Sequence, residues 1–309
     1  MAAKKASPCE EIEFNSGGVR LRAGLFRPAG KALTNTRGLP CIVMAHGLGG
    51  TRAAGLEPFA RRFAEAGFAV LVFDYRGFGK SDGAPRQVVD VRMQLQDWAS
   101  AIAHARSMKE VDPQRIALWG SSFSGGVVIA AAVEDGRVAA VSSQGGMLDG
   151  RAALLHLLKA EGPVQLAKLS ALAALDTARA KLGLPRVMLP VVGTPGSMAV
   201  LTTPDSEPGY FAITPRDWVN EISLGWMLTL PLFRPNVMAK HLPCPVLFCI
   251  AEQDAVVPPA AVEDAARRAG SKATVCRYAR GHFEIYVNEG FEDSVRDQSA
   301  FFLKHLSAA

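Results

Sequence analysis

The chain has 309 residues, of which 49% are hydrophobic and 20% charged, a balance that excludes global disorder and permits a core needing neither disulfides nor metals. Its formal charge of +5 invites an anionic partner. The basic residues, however, gather no more densely than Lys4-Lys5, Arg61-Arg62 and Arg267-Arg268, and aromatics do not interleave with them, so no nucleic-acid partner is expected.

Glu11 to Phe14 and Val19 to Phe26 alternate with a period near two and read as two strands turning at Ser16-Gly17-Gly18. A loop rich in Gly, Pro, Thr and Asn runs from Pro28 to Pro40. CIVMAH (41–46) is a continuous apolar run, as a strand buried on both faces requires. EPFARRFAEAG (57–67) has helical spacing and a glycine stop, and FAVLVFD (68–74) is the next buried strand. A long amphipathic helix follows at 88–107, then a loop at Val111-Asp112-Pro113, a strand at RIALWG (115–120), an apolar helix at 124–134 and a strand at 138–145.

The alternation returns late, with a strand at 245–254, a helix at 259–270, a strand at 273–279 and a final helix from about Val295 to His305. Strands alternating with helices predict a parallel sheet covered on both faces. The interval from Met147 to Asn236 breaks this rhythm. It holds a long helical stretch, a Pro/Gly/Thr-rich passage and the segment DWVNEISLGWMLTLPLF, and its apolar faces need outside cover. The expected organisation is a core of residues 1–146 and 237–309 with a cap, 147–236, over the strand ends. No repeat or low-complexity tract is present.

Five cysteines (Cys9, Cys41, Cys244, Cys249, Cys276) show no C-x-x-C spacing, and four lie in or beside apolar runs, so buried reduced thiols are expected. The opening MAAKKASPCEE lacks the apolar stretch of a secretory leader. No apolar run reaches the roughly 18 residues of a membrane span. A cytoplasmic protein without a membrane span is the expectation.

The chemistry gathers at the strand ends. RIALWGSSFSGGVVIAAAV sets a strand, a small-residue turn and a helix in succession. A serine on such a turn exposes its hydroxyl above the sheet, backed by the free N–H groups of a helix start. Because the apolar run ends at Trp119, the turn should centre on Ser122, with Gly120 two before it; Ser124, which has Gly126 two after it, is the alternative. The run CIVMAHGLGG ends a strand in glycines that free backbone N–H groups for an oxyanion, and the N–H groups of Leu48 and Phe123 are the candidate donors. His46 is expected to bond across that loop rather than to act in catalysis.

Asp254 ends the strand PVLFCIAEQD, where polar groups face a ligand crevice; Asp149 and Glu252 are rival acids. His282, in ARGHFEIY after the last strand, is the candidate base, since an imidazole accepts and returns a proton near neutral pH. The order Ser122, Asp254, His282 is that of a hydrolase triad.

HGLGG, DYRGFGKSDG (74–83), GSSFSGG (120–126), EQDAVVP (252–258) and Gly281-His282 together resemble the α/β-hydrolase superfamily over roughly residues 10–306. DYRGFGKSDG is similar to the corresponding loop of serine aminopeptidase-like, lipase-like and dienelactone hydrolase-like members. The resemblance implies an α/β fold with a mostly parallel eight-stranded sheet flanked by helices, a helical cap after the sixth strand, and no cofactor or metal. Serine at position 124 departs from the family's glycine.

The expected activity is hydrolysis of a carboxylic ester or thioester with an apolar acyl group. Trp226, Met227 and Met198 are the expected wall of its pocket, among apolar cap residues that also include Met188, Trp218, Leu228, Leu230 and Phe233. Aminopeptidase, amidase or acyltransferase chemistry on the same triad is the alternative, with Glu207 or Glu221 as anchors for a free amine. A non-catalytic small-molecule receptor and an interaction protein are the readings from other classes. The expected partner is a small acyl substrate, with a homo-oligomer possible.

Overall fold

The computed structural model describes residues 9–28, 30 and 32–307. The stretch read above as lacking a leader, with Lys4-Lys5, lies mostly outside them. Strands β1 (Cys9–Ser16) and β2 (Val19–Phe26) pair antiparallel, and both glycines of their turn take positive φ. There follow β3 (Leu39–Ala45), α1 (Leu56–Glu65), β4 (Ala69–Phe73), α2 (Val91–Ser107), β5 (Val111–Ser121), α3 (Phe123–Asp135) and β6 (Ala140–Gln144). Then come α4 (Gly150–Lys181), β7 (Met188–Leu189), α5 (Ser206–Ile213), β8 (Ile222–Ser223) and α6 (Pro235–Met238). The chain closes with β9 (Val246–Ala251), α7 (Pro259–Ala269), β10 (Ala273–Tyr278) and α8 (Asn288–Leu306).

Eight strands form one sheet in the order β1-β2-β4-β3-β5-β6-β9-β10, parallel from β4 onward. Alternation along each inner strand sorts the core. Cys41, Val43 and Ala45 of β3 face Trp98 of α2, Val127 of α3 and Val262 of α7. Ile42 and Met44 face the opposite layer, where Phe59 and Phe63 of α1 meet Phe302 of α8. Cys41, Cys244 and Cys249 are buried, whereas Cys9 and Cys276 are half-buried, and all five are free thiols.

Three boundaries differ from expectation for identifiable reasons. β5 begins at Val111, taking in the residues read as a loop. Leu39 pairs with Val111 but Cys41 with Ile116, so a bulge accommodates Pro113. The buried ion pair of Asp112 with Arg115, 3.0 Å, closes that bulge. Helix α2 starts three residues late because Asp90 caps it, accepting from Arg92 N at 2.9 Å and Met93 N at 3.2 Å. α8 starts at Asn288, well before Val295. Its first turns are polar and contain Gly290, which reads as a breaker; a Cβ there would lie 2.2 Å from Glu284 O.

The stretch between β6 and β9 opens with α4, capped by Asp149 and broken at Gly162, whose φ of 81° and ψ of 170° suit glycine, with Pro163 after it. The 3₁₀ turns at Gly225–Leu228 and Leu230–Leu232 pack along α4, and Gly150 is obligatory because a Cβ would strike Leu230 O at 1.8 Å.

Candidate active site

Ser122 stands between β5 and α3 at φ 56°, ψ −124°, a strained conformation for a residue with a side chain. Its backbone is held on both sides: Ser122 N–H donates to Gln144 O (2.9 Å), and Ser122 O accepts from Gly125 N and Met147 N (both 2.9 Å). A Cβ on Gly120 would lie 2.3 Å from Ser124 O, and one on Gly126 2.1 Å from Met147 O. The neighbouring serines are engaged elsewhere. Ser124 is fully buried with its hydroxyl 2.6 Å from Tyr75 OH, which also accepts from Trp98 Nε1 at 2.7 Å. Ser121 bonds Gln144 O and Tyr286 OH.

His282 Nε2 lies 3.1 Å from Ser122 Oγ, and its Nδ1 lies 2.6 Å from Asp254 Oδ2. The carboxylate only accepts, so Nδ1 carries the proton and the Nε2 lone pair faces the serine. The other oxygen of Asp254 accepts from Val256 N (2.8 Å) and Val257 N (2.7 Å), which fixes the carboxylate at the end of β9. Burial pulls the His282 pKa down, but the charge and hydrogen bond of Asp254, with the charge of Asp205 added, outweigh it and set the pKa above the usual 6.5. The rival acids do other work. Asp149 caps α4 and pairs with Arg234 (3.0 Å), and Glu252 is exposed beside Arg277.

Across from Ser122 lies the His46–Gly50 loop. A Cβ on Gly47 would meet Ser122 Cβ at 2.9 Å, so the two chains approach closely only because Gly47 has none. His46 Nε2 accepts from Tyr75 N (3.3 Å), leaving Nδ1 to donate to Gly47 O (3.0 Å). His46 thus ties its own loop to the segment after β4. Burial holds its pKa below 6.5. The N–H groups of Leu48 and Phe123 find no acceptor within the protein among the described residues. Such donors on either side of a serine hydroxyl suit a developing oxyanion.

A cleft with about 810 Å³ of empty space, part of it open, adjoins Ser122. Trp226 and Met227 line it, together with Leu48 and Phe123. Met198 does not: it is exposed, on a turn outside the wall. Glu207 and Glu221 are also absent from the wall, and Glu221 lies in a separate polar cleft beside Arg52 and Lys80. Sequence reasoning missed the first half of α4, which contributes Ala153, Leu154, Leu157 and Ala160. Their spacing of three and four marks one helical face and is readable in RAALLHLLKAEG. Among the described residues no cluster of His, Cys, Asp or Glu is placed to hold a metal, and no helix is long and apolar enough to cross a membrane.

A family profile described as X-Pro dipeptidyl-peptidase (S15 family) matches residues 17–183. The quorum-quenching protein AidA of Acinetobacter baumannii is 41% identical over 293 residues, spanning 94% of this chain and 93% of that one. The thiohydrolase aneE of Aspergillus aculeatus is 38% identical over 134 residues, 43% of this chain and 40% of the relative. Among solved structures, the α/β-hydrolase GrgF from a Penicillium species superposes with a TM-score of 0.78 at 24% identity, over 97% of this chain and 100% of that one, a likeness of fold. By its profile match and its full-length likeness to a curated relative, the chain belongs to the family described as X-Pro dipeptidyl-peptidase (S15) and, with it, to the α/β-hydrolase superfamily of serine hydrolases.

Proposed function

We propose that this protein cleaves a carboxylic ester or thioester with an apolar acyl group, through an acyl-enzyme on Ser122. The observation that carries the reading is the single row Asp254–His282–Ser122, at 2.6 and 3.1 Å, opening onto an apolar cleft. His282 Nε2 takes the Ser122 proton as Oγ bonds to the acyl carbon. The carbonyl oxygen gains the negative charge, which the N–H groups of Leu48 and Phe123 stabilise. As the tetrahedral intermediate collapses, the bond to the leaving oxygen or sulfur breaks and His282 hands that atom its proton. Water, deprotonated by His282, then attacks the acyl-enzyme and releases the acid, restoring Ser122. Residues 147–236 serve as the cap that roofs the cleft, with the first half of α4 over the acyl group.

A peptide substrate, which the family description brings to mind, needs an anchor for its free amine; neither Glu207 nor Glu221 stands on the cleft wall, and Glu161, the acid that does, already accepts from Thr202 Oγ1 at 2.6 Å. The ester reading is therefore the stronger. The test sets p-nitrophenyl esters of graded chain length against aminoacyl anilides, with a fluorophosphonate probe alongside. Esters should turn over and the probe should mark Ser122, while Ser122→Ala should lose labelling and at least ~10⁴-fold in kcat. Turnover of the anilides alone would remove the ester claim. The full-length likeness to a quorum-quenching protein favours a second reading, in which the substrate is a quorum signal. A reporter culture should lose its signal on incubation with the wild-type protein and keep it with Ser122→Ala.

A further inference from the structure

The loop that carries the Leu48 N–H is not held by the sheet alone. Tyr210, midway along the short helix α5, donates its hydroxyl to Leu48 O at 2.6 Å. Trp218 donates Nε1–H to Gly49 O at 2.9 Å. The two rings stack on each other, with centroids 4.6 Å apart and planes 20° from parallel. Burial raises the pKa of the Tyr210 phenol, so it stays a donor across the working pH range.

Val191, between β7 and the Tyr210 helix, packs against the same loop. A Cβ on Gly49, which takes φ +67°, would lie 2.6 Å from Val191 Cγ2, and one on Gly50 would lie 3.0 Å from Tyr210 OH. Thus two of the three glycines in His46–Gly50 make room for residues between β6 and β9. Only Gly47 makes room for Ser122.

The peptide planes give the contacts a consequence. The Leu48 N–H shares its rigid plane with Gly47 O, which His46 Nδ1 holds at 3.0 Å. The next plane carries Leu48 O, which Tyr210 holds. With both planes flanking the Leu48 Cα fixed, so is the direction of the Leu48 N–H. Tyr210 also reaches the base: its ring meets Phe283 edge-on at 5.7 Å, and Phe283 meets His282 edge-on at 5.0 Å.

We propose that Tyr210 and Trp218 are positioning residues for the oxyanion donor, so that the reaction centre is complete only while the segment around them is docked on the His46–Gly50 loop. The proposal rests on the hydrolase reading above for its catalytic consequence, though not for the docking itself. Tyr210→Phe removes one hydroxyl and Trp218→Phe one N–H, and both keep an aromatic ring in place. Each should lower kcat for p-nitrophenyl butyrate roughly tenfold, less than the 10²–10³ lost when an oxyanion donor is deleted. KM should stay within about twofold, because the lost interaction acts in the transition state. The midpoint of the acid limb of the pH profile should not move, because His282 and Asp254 are untouched. Hydrogen exchange by NMR should show the amides of residues 48–50 exchanging faster in both variants.

Unchanged exchange at residues 48–50 overturns the proposal, whatever the kinetics. So does a rise in KM with kcat unaltered, which would make Tyr210 a substrate contact. If the wild-type protein neither labels with fluorophosphonate nor hydrolyses esters, the hydrolase reading fails separately, and the exchange measurement alone decides whether these two residues hold the loop.

Discussion

His282 is pulled in opposite directions, and both functional and stability consequences follow. The proposed reaction, in which His282 takes a proton from Ser122, needs the imidazole neutral. Its folded pKa lies above 6.5, so kcat/KM should rise with pH through a midpoint above that value. Replacing Asp205 by Asn removes one of the charges that raise the pKa and should move the midpoint to lower pH, with labelling of Ser122 retained. A midpoint that stays put would show that Asp205 is too far or too screened to matter. For stability, the protonated imidazole is favoured in the folded state. That contribution is complete below the unfolded value near 6.5 and is lost as pH rises through the higher folded pKa. His46 has the reverse sign. Buried and neutral, it favours folding fully above 6.5 and less as pH falls from there toward its lowered folded pKa. Thermal melts of His282→Gln and His46→Gln against pH should therefore differ from wild type on opposite sides of 6.5.

The serine at 124 gives a second residue-scale prediction. Its hydroxyl meets Tyr75 inside the core, not the cleft. Ser124→Ala should cost about 1–3 kcal/mol of stability by leaving a buried phenol short of a partner, while fluorophosphonate labelling persists. Loss of labelling in a folded Ser124→Ala protein would reopen the identity of the nucleophile.

Among the elements, the β5–α3 turn is the least tolerant. Gly120 and Gly126 each face a backbone oxygen, of Ser124 and of Met147, that cannot move aside without shifting α3 or the chain leading to α4. Alanine at either place should cost upwards of ~3 kcal/mol, at the high end of overpacking penalties, and should take activity with it. Gly136 closes α3 at φ +68° with open space around it, so Gly136→Ala should cost only about 1 kcal/mol and leave turnover intact. Urea melts of the three variants would check the ranking; equal losses would mean that conformational strain, not close approach, governs this helix.

On the scale of the whole molecule, the parallel core was legible because its signals are local. A run such as CIVMAH announces a strand buried on two faces, and Ser122, Asp254 and His282 each follow such a strand or its neighbour, so chain order alone placed them at one rim. The stretch between β6 and β9 was not legible in the same way. Its two-residue strands pair Met188 with Ser223, far along the chain, its 3₁₀ turns pack on α4, and the Val192–Leu201 bridge stands outside any regular strand. Met198 looked like a pocket residue by type, yet that bridge leaves it on an outer turn. Tyr210 and Trp218 meet partners 162 and 169 residues away, a pairing no periodicity encodes.

Under the proposed reaction, the same division makes acyl-chain length a property of two layers meeting. The cleft wall takes Phe123, Val256 and Val257 from the strand ends, Ala153, Leu154 and Leu157 from α4, and Trp226 and Met227 from the turn packed against α4. Each methylene of an acyl chain that such a wall removes from water is worth about 0.8 kcal/mol, or roughly fourfold in kcat/KM. The gain should continue with chain length until the chain outgrows the space. Ala153→Leu fills part of the roof and should shift the preferred p-nitrophenyl ester to a shorter acyl group. Met227→Ala opens another part of the wall and should shift it to a longer one. Opposite shifts with Ser122 labelling unchanged would place the acyl group under the first half of α4; an identical chain-length profile in both variants would put it elsewhere.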